Sequence, residues 1–259
     1  MIVAGAGVQG TAHLARAQGC QDAFKAVDLG DAAVLAVSDG AGSRDRSALG
    51  AHIAVDAACR LLARDIPAAQ ETPEAWTAWT AGCGKAVVEE YLRAVAGVSG
   101  DDASDPGDLA ATLTAAVVAP PWAAFVSLGD GFGTLLTRDD RCHLVLPPPE
   151  GPTAFLSSPG AELRIRTFVV WEPELSGVVL STDGCAPLAL DHPTVRELPV
   201  SAGPLPADGF FLGLAAALRD NDGDAEPLRR LLSAPEAGSR TGDDLTVLCA
   251  LVEEGRPWP

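Results

Sequence analysis

Residues 34–43 read VLAVSDGAGS, a run of apolar and small residues that ends in an aspartate and a glycine-rich turn. Two later segments have the same form, FVSLGDG at 125–131 and VVLSTDG at 178–184. A fourth segment, TGDDLTVL at 241–248, reverses the order, so that the acids precede the apolar run. Apolar runs of this length, bounded by turn residues, indicate buried β-strands. The pattern therefore predicts acidic side chains at the ends of core strands.

An isolated Asp-Gly pair is typical of a tight hairpin turn, because glycine accepts a positive φ. Asp39, however, is followed by Gly-Ala-Gly-Ser and a helical segment, and Asp183 by Gly-Cys-Ala-Pro. Neither segment returns at once as a second strand. Mg²⁺ and Mn²⁺ bind several carboxylate oxygens, and a strand end holds each oxygen in a fixed position. The acids thus predict a divalent-metal site.

The rest of the chain predicts an α+β fold. Strand-like runs occur at 32–38, 112–118, 123–128, 132–137, 143–146, 163–171, 177–181 and 245–252. Helical patterns occupy 47–66, 73–98 and 208–219. Two consecutive helices between strands do not fit a strict βαβ alternation, but they fit helices that cover antiparallel sheets.

Composition excludes several classes of protein. Eighteen Lys and Arg residues against 35 Asp and Glu residues give a net charge of −17, which repels nucleic acid. The uncharged stretch at 109–129 is interrupted by Pro120 and Pro121, which favours two strands over a membrane helix. The six cysteines are scattered, and the N-terminus lacks a signal-peptide pattern, so we expect reduced thiols in a cytoplasmic protein.

Gly5, Gly7 and Gly10 spell the G-x-G-x-x-G pattern of dinucleotide-binding proteins. That site needs a helix after the last glycine and an acid at the end of a strand about 20 residues later. Here the next strong strand ends at Asp39, and the later elements resemble hairpins. An NAD-linked oxidoreductase is therefore the least favoured alternative, and small residues in an edge strand are the preferred interpretation.

Short motifs recur in a familiar order along nearly the whole chain. They are GTAH at 10–13, GCQDAF at 19–24, VSDGAGS at 37–43, ATL at 111–113, SLGD at 127–130, LSTDG at 180–184 and TGDDLTV at 241–247. In this order the chain resembles the metal-dependent (type 2C, PPM) protein serine/threonine phosphatases, and their bacterial branch in particular. The resemblance implies a single phosphatase domain over residues 1–259.

The resemblance also implies a fold and a site. The fold is a four-layer αββα sandwich of two antiparallel sheets flanked by helices. By analogy, two Mn²⁺ or Mg²⁺ ions are held by Asp39, which bridges them, by the Gly40 carbonyl, and by Asp183 and Asp243. Asp22 holds metal-bound water, and Asp130 helps to hold a weaker third ion. Metal-activated water then attacks phosphoserine or phosphothreonine in a protein substrate, the product of a kinase.

Two positions depart from the family pattern. Many eukaryotic members carry a histidine two residues after the bridging aspartate, where this chain has Ala41. Arg16 lies one residue from the usual position of an arginine that binds the substrate phosphate, and a surface role is the alternative. We expect His13 to be a buried or rim histidine. A phosphoprotein-binding module of the same fold with weak catalysis remains the main alternative function.

Overall fold

The computed structural model describes residues 1–99 and 105–253. The strands are β1 (Ile2–Val8), β2 (Asp22–Asp28), β3 (Ala33–Asp39), β4 (Leu113–Ala119), β5 (Trp122–Leu128), β6 (Phe132–Thr137), β7 (Cys142–Leu146), β8 (Arg166–Trp171), β9 (Leu175–Ser181), β10 (Leu190–Asp191), β11 (Leu205–Pro206) and β12 (Leu245–Leu251). The helices are α1 (Thr11–Ala15), α2 (Ser47–Leu62), α3 (Pro73–Ser99), α4 (Ala161–Arg164), α5 (Ala186–Ala189), α6 (Asp208–Asp220), α7 (Glu226–Leu232) and α8 (Pro235–Arg240).

Ten of these strands form two antiparallel sheets, with the orders β1-β12-β9-β6-β7 and β2-β3-β4-β5-β8. Strands β10 and β11 form a separate short ladder. The pairing joins strands that are close in sequence, such as β4 and β5, with strands from opposite ends of the chain, such as β1 and β12. The α+β class expected from the sequence is confirmed.

Strand β3 shows why the central runs are almost entirely apolar. Val34 and Ala36 pack into a cluster with residues of α2 and α3 on one face of the sheet. Leu35 and Val37 point the other way, into a cluster shared with β9 and β12 of the second sheet. Successive side chains alternate between faces, so a strand covered on both faces has no solvent-facing position.

The second sheet is covered in the same way. A third cluster joins its outer face to α6 and α7, with Phe211 and Leu228 fully or almost fully buried. The layers therefore follow the order helix, sheet, sheet, helix. This arrangement confirms the four-layer αββα sandwich, and the space between the two sheets forms the middle of the core.

Some boundaries differ from the expectation. The helix expected over 47–66 ends at Leu62, because Asp65 has a positive φ and Ile66 precedes a proline, which disfavours the helical region. The strand expected from residue 163 begins at Arg166, because residues 161–164 form α4. The sequence did not predict β2, whose DAFKAVD composition is mixed because it is an edge strand. The acidic, glycine-containing segment 99–108, which the sequence predicts to be a loop, lies partly outside the described residues.

Gly5 and Gly7 of the glycine motif near the N-terminus belong to β1, an antiparallel edge strand, whereas Gly10 directly precedes α1. A Cβ at Gly5 would lie 2.7 Å from the Leu248 side chain and 3.0 Å from Phe24, so the small residue serves packing. The edge-strand interpretation is confirmed. The segment 109–129 forms β4 and β5 around the Pro120–Pro121 turn, and no helix of the described residues could cross a membrane.

Candidate metal centre

The antiparallel order brings several strand ends to one edge of the sandwich. In the first pair, Asp22 at the start of β2 lies opposite Asp39 at the end of β3. Across the other sheet, Ser181 at the end of β9 pairs with Phe132 at the start of β6 and with Val247 near the start of β12. The acids that flank these strands therefore meet at one edge, although they are far apart in the chain.

Three carboxylates form the centre of this cluster. Oxygens of Asp39, Asp130 and Asp183 lie within 4.8 Å of one another. Each side chain is half-buried, and each follows a core strand: β3, β5 and β9, respectively. Three oxygens at this separation can share a divalent cation, because Mg²⁺ and Mn²⁺ are bound through carboxylate oxygens and water. The structure thus places together three of the acids that the sequence singled out.

Asp22 connects the two sheets beside this cluster. Its Oδ2 accepts a hydrogen bond of 2.8 Å from the hydroxyl of Thr182, which directly precedes Asp183. Burial raises the pKa of Asp22 to about 7, opposed by hydrogen bonds from Thr246 and Thr182 and reinforced by the negative charges of Asp244 and Asp183. Asp22 therefore lies beside the three carboxylates.

The pKa values of the central acids show the cost of placing these charges together. Burial, followed by the charges of Asp22, Asp183, Asp243 and Asp130, raises the pKa of Asp39 to about 10. Burial and the charges of Asp130 and Asp243 raise the pKa of Asp183 to about 6, although backbone hydrogen bonds oppose the shift. A cation bound among these oxygens would offset the repulsion.

The remaining hydrogen-bonding capacity of the cluster also suits a cation. Among the described residues, Oδ1 of Asp130 is buried without a hydrogen-bond partner, whereas its Oδ2 accepts a hydrogen bond from the Thr153 hydroxyl. Oε1 of Gln21, a residue that lines the same site, is likewise buried and unpartnered. Buried acceptors without donors are rare in folded proteins. This donor set fits a hard divalent metal ion.

A cleft of about 410 Å³ opens onto the cluster. Asp39, Gly40 and Asp243 form part of its lining, together with Arg16 of the segment that follows α1. Asp243 is not a member of the group of three close carboxylates, but it faces the same cleft from the start of β12. The arrangement therefore places anionic oxygen ligands and one guanidinium on the walls of a single opening.

Asp244 is a functional residue that the sequence did not single out from its neighbour. Its side chain is 1% exposed, and its two carboxylate oxygens accept hydrogen bonds of 2.6 Å from the backbone N–H groups of Gly10 and Gln21. Nδ1 of His13 lies 2.9 Å from its Oδ2. The expectation that His13 is buried is confirmed. Asp244 thus ties the start of β12 to two segments that line the cleft.

Two glycines allow this close packing. A Cβ at Gly10 would lie 2.3 Å from the backbone carbon of Asp243, and one at Gly184 would lie 2.0 Å from the backbone oxygen of Asp244. Both contacts are with backbone, which cannot move away as a side-chain tip could. Only glycine fits at these two positions. Glycines next to the acids are visible in the sequence and indicate close packing there. The contacts themselves, however, depend on the packing of the two sheets.

The raised pKa values predict how the stability of the metal-free protein varies with pH. Between the ordinary aspartate pKa and the raised values of Asp183 and Asp22, the folded protein binds more protons than the unfolded chain, so its free energy of unfolding falls as pH rises. We expect the melting temperature in excess chelator to fall from pH 5 to pH 8. We also expect Mn²⁺ to raise it more at pH 8, because ligand oxygens must be ionised. Thermal melts with and without Mn²⁺ test both, and an equal effect of Mn²⁺ at both pH values would contradict the assignment.

Comparison with known proteins agrees with this geometry. The family model of protein phosphatase 2C matches residues 9–232. The chain belongs to the protein phosphatase 2C family. Serine/threonine-protein phosphatase 3 of Escherichia coli (strain K12) is 29% identical over 255 residues, which cover 95% of this chain and 96% of the relative. The region matched to the family includes Asp22, Asp39, Asp130 and Asp183 but ends before Asp243.

Solved structures show the same fold. The serine/threonine phosphatase PstP/Ppp of Mycobacterium tuberculosis superposes with a TM-score of 0.60 at 20% identity, covering 97% of this chain and 98% of that one. The catalytic domain of the PstP phosphatase, crystallised with two manganese ions, matches with a TM-score of 0.60 at 21% identity and the same coverage. This chain is thus a metal-dependent protein phosphatase of the 2C type, and the oxidoreductase alternative is excluded.

Proposed function

We propose that this phosphatase hydrolyses phosphoserine and phosphothreonine in proteins with water activated by two divalent ions. The observation that carries the proposal is the approach of Asp39, Asp130 and Asp183 oxygens to within 4.8 Å of one another, next to an open cleft that Asp39 lines. The names of the Escherichia coli relative and of the mycobacterial structure support serine and threonine as the substrate residues. The substrates would be products of a protein kinase, since only a kinase supplies this phosphomonoester.

The metal ions would be Mn²⁺ or Mg²⁺, held by Asp39, the Gly40 carbonyl, Asp183 and Asp243, with Asp130 at a weaker third position. When bound, they supply a hydroxide near neutral pH and neutralise charge on the phosphoryl group. Asp22, fixed by the Thr182 hydroxyl, orients water next to Asp39. The manganese pair in the mycobacterial relative supports the number of ions.

Arg16 is the group we assign to the substrate phosphate. It is exposed on the wall of the cleft, and it forms no ion pair with any acid of the described residues. A guanidinium can donate two parallel hydrogen bonds to a phosphate, which positions the phosphorus above the acids. Ala41 offers no proton donor to the departing serine or threonine oxygen, so water or another group must protonate it.

We assign this activity to residues 1–259 as one phosphatase domain and place the protein in the cytoplasm. All six cysteines are free, as expected for a reducing compartment. The thiols of Cys59, Cys185 and Cys249 are buried, and burial raises the pKa of Cys59 to about 12. Such thiols behave as core residues and are poor nucleophiles. No phosphocysteine intermediate is therefore part of the proposal.

The proposed function predicts strict metal dependence. After chelation and dialysis, the protein should release no phosphate from p-nitrophenyl phosphate or from phosphoserine and phosphothreonine peptides. Addition of millimolar Mn²⁺ should restore turnover of all three. A matched phosphotyrosine peptide serves as the control for residue specificity. Binding of the phosphopeptides without phosphate release would instead favour the phosphoprotein-binding module and would overturn the proposal.

Arg16 gives a separate prediction. Its replacement by alanine should raise KM for p-nitrophenyl phosphate about tenfold, roughly the value of one charge-assisted pair of hydrogen bonds, and should change kcat less. Lysine should restore part of the loss, because it keeps the charge but not the planar fork. The control is Arg64→Ala, an exposed arginine outside the cleft. Unchanged steady-state kinetics of the Arg16→Ala variant would show that Arg16 is a surface residue that does not bind the substrate phosphate.

A further inference from the structure

A second groove adjoins the catalytic cleft. It has a volume of about 450 Å³ and lies between α1, the α7–α8 junction and the start of β12. Its lining residues are Val8, Gln9, Gly10, Thr11, Leu14, Leu232, Ser233, Ala234, Pro235, Gly238, Ser239, Thr241, Asp243 and Leu245. Asp243 is the only charged member of this set. The chain has a net charge of −17, yet this concave surface is nearly uncharged.

The groove and the cleft adjoin each other. Thr241 and Asp243 line both of them. The short helix α1 lies between the two: Ala12 faces the cleft, whereas Thr11 and Leu14 face the groove. A polypeptide whose phosphorylated side chain enters the cleft can therefore place a neighbouring residue in the groove.

Leu14 is the apolar feature that such a polypeptide would meet. It is 59% exposed, although it lies beside the apolar residues Leu232 and Pro235 of the groove. Burying a leucine side chain stabilises a complex, because apolar surface is removed from water. The nearly uncharged wall favours an aliphatic partner over an acidic side chain, which the net negative charge of the chain repels and whose charge would lose water without a partner.

We propose that this groove binds the segment of the phosphoprotein substrate next to the phosphorylated residue and selects an aliphatic side chain there. The inference rests on the proposed function, because it takes the cleft as the phosphoserine and phosphothreonine site. An extended peptide advances about 3.3–3.6 Å per residue, and the two openings share residues, so the selected side chain lies within about three positions of the phosphorylated residue.

The test compares phosphopeptides that carry Leu, Ala or Glu at each position from −3 to +3. The wild-type enzyme should show a kcat/KM at least fivefold higher for Leu than for Ala at one of these positions, and a lower value for Glu. Leu14→Asp should abolish that preference. Ser239→Trp should also abolish the preference, because the indole ring fills the groove from its exposed rim without adding a charge.

Two controls separate this inference from the proposed function. Both variants should keep wild-type kinetics on p-nitrophenyl phosphate, which has no flanking residues. Val195→Asp, on an exposed residue that lines neither opening, should keep the peptide preference. Loss of p-nitrophenyl phosphate hydrolysis in the wild type would reject the proposed function itself.

Three outcomes would overturn the groove proposal while leaving the catalytic function intact. The first is equal kcat/KM for all wild-type peptides, and the second is an unchanged leucine preference in both groove variants. The third is a concentration-dependent dimer that Leu14→Asp dissociates without changing peptide kinetics, which would assign the groove to a second copy of this chain. Sedimentation of wild type and variant measures this last outcome.

Discussion

Replacement of Asp39 by asparagine should abolish phosphatase activity and stabilise the metal-free protein. Asp39 contributes to the group of three close carboxylates, and every neighbouring charge raises its pKa. An amide keeps the shape of the side chain but removes a negative charge that a bound cation needs. Loss of this proposed metal ligand should reduce kcat/KM at least about 10³-fold, or roughly 4 kcal/mol of transition-state stabilisation.

The stability effect has the opposite sign, because the ionised Asp39 of the unfolded chain must take up a proton, or be buried beside like charges, when the protein folds without metal. In excess chelator at pH 8, Asp39→Asn should melt a few degrees above the wild type, since ~1 kcal/mol corresponds to about 2–4 °C in a protein of this size. The control is Glu89→Gln, which neutralises an exposed carboxylate on α3. Calorimetry on both variants measures the melting temperature, and phosphate-release assays measure the activity. A less stable Asp39→Asn variant, or one that retains activity, would contradict the assigned site.

Replacement of Asp244 by alanine should destabilise the fold itself. Its carboxylate is buried and accepts two backbone hydrogen bonds, from Gly10 and Gln21. Alanine would leave both N–H groups buried without an acceptor, at about 1–3 kcal/mol each. The sum is a large fraction of the 5–15 kcal/mol that separates folded and unfolded states in most proteins. We expect a fall in melting temperature on the order of 10 °C, or no soluble protein.

The neighbouring residue provides the matched control for this prediction. Asp243 has a side chain that is 45% exposed, and it faces the cleft instead of the core. Asp243→Ala should therefore lose activity while keeping a melting temperature close to that of the wild type in chelator. A third variant, Asp244→Asn, keeps one acceptor oxygen and should lie between alanine and wild type in stability. Equal melting temperatures for Asp243→Ala and Asp244→Ala would show that the two acids do not differ in this way.

Local signals predicted most of the strands and the acids at their ends. A strand that is buried on both faces carries no charged residue before its end, so the aspartate of VLAVSDG marks that end directly. The sequence did not predict strand β2, because its apolar run is interrupted by Lys25 and ends at Asp28. An edge strand with one open side tolerates such residues. Helix α2 was predicted too long, because its end depends on the backbone of Asp65 and on the following proline.

The sequence by itself determined the α+β class, the apolar strands and the Asp-Gly ends that carry Asp39, Asp130 and Asp183, since each follows from residues close together in the chain. Only the tertiary structure decided which side chains meet. The hydrogen bond between Thr182 and Asp22, the burial of Asp244 beside the open position of Asp243, and the groove next to α1 all join segments more than 150 residues apart in sequence. Such contacts are set by the stacking of two sheets, whose relative position no local pattern encodes.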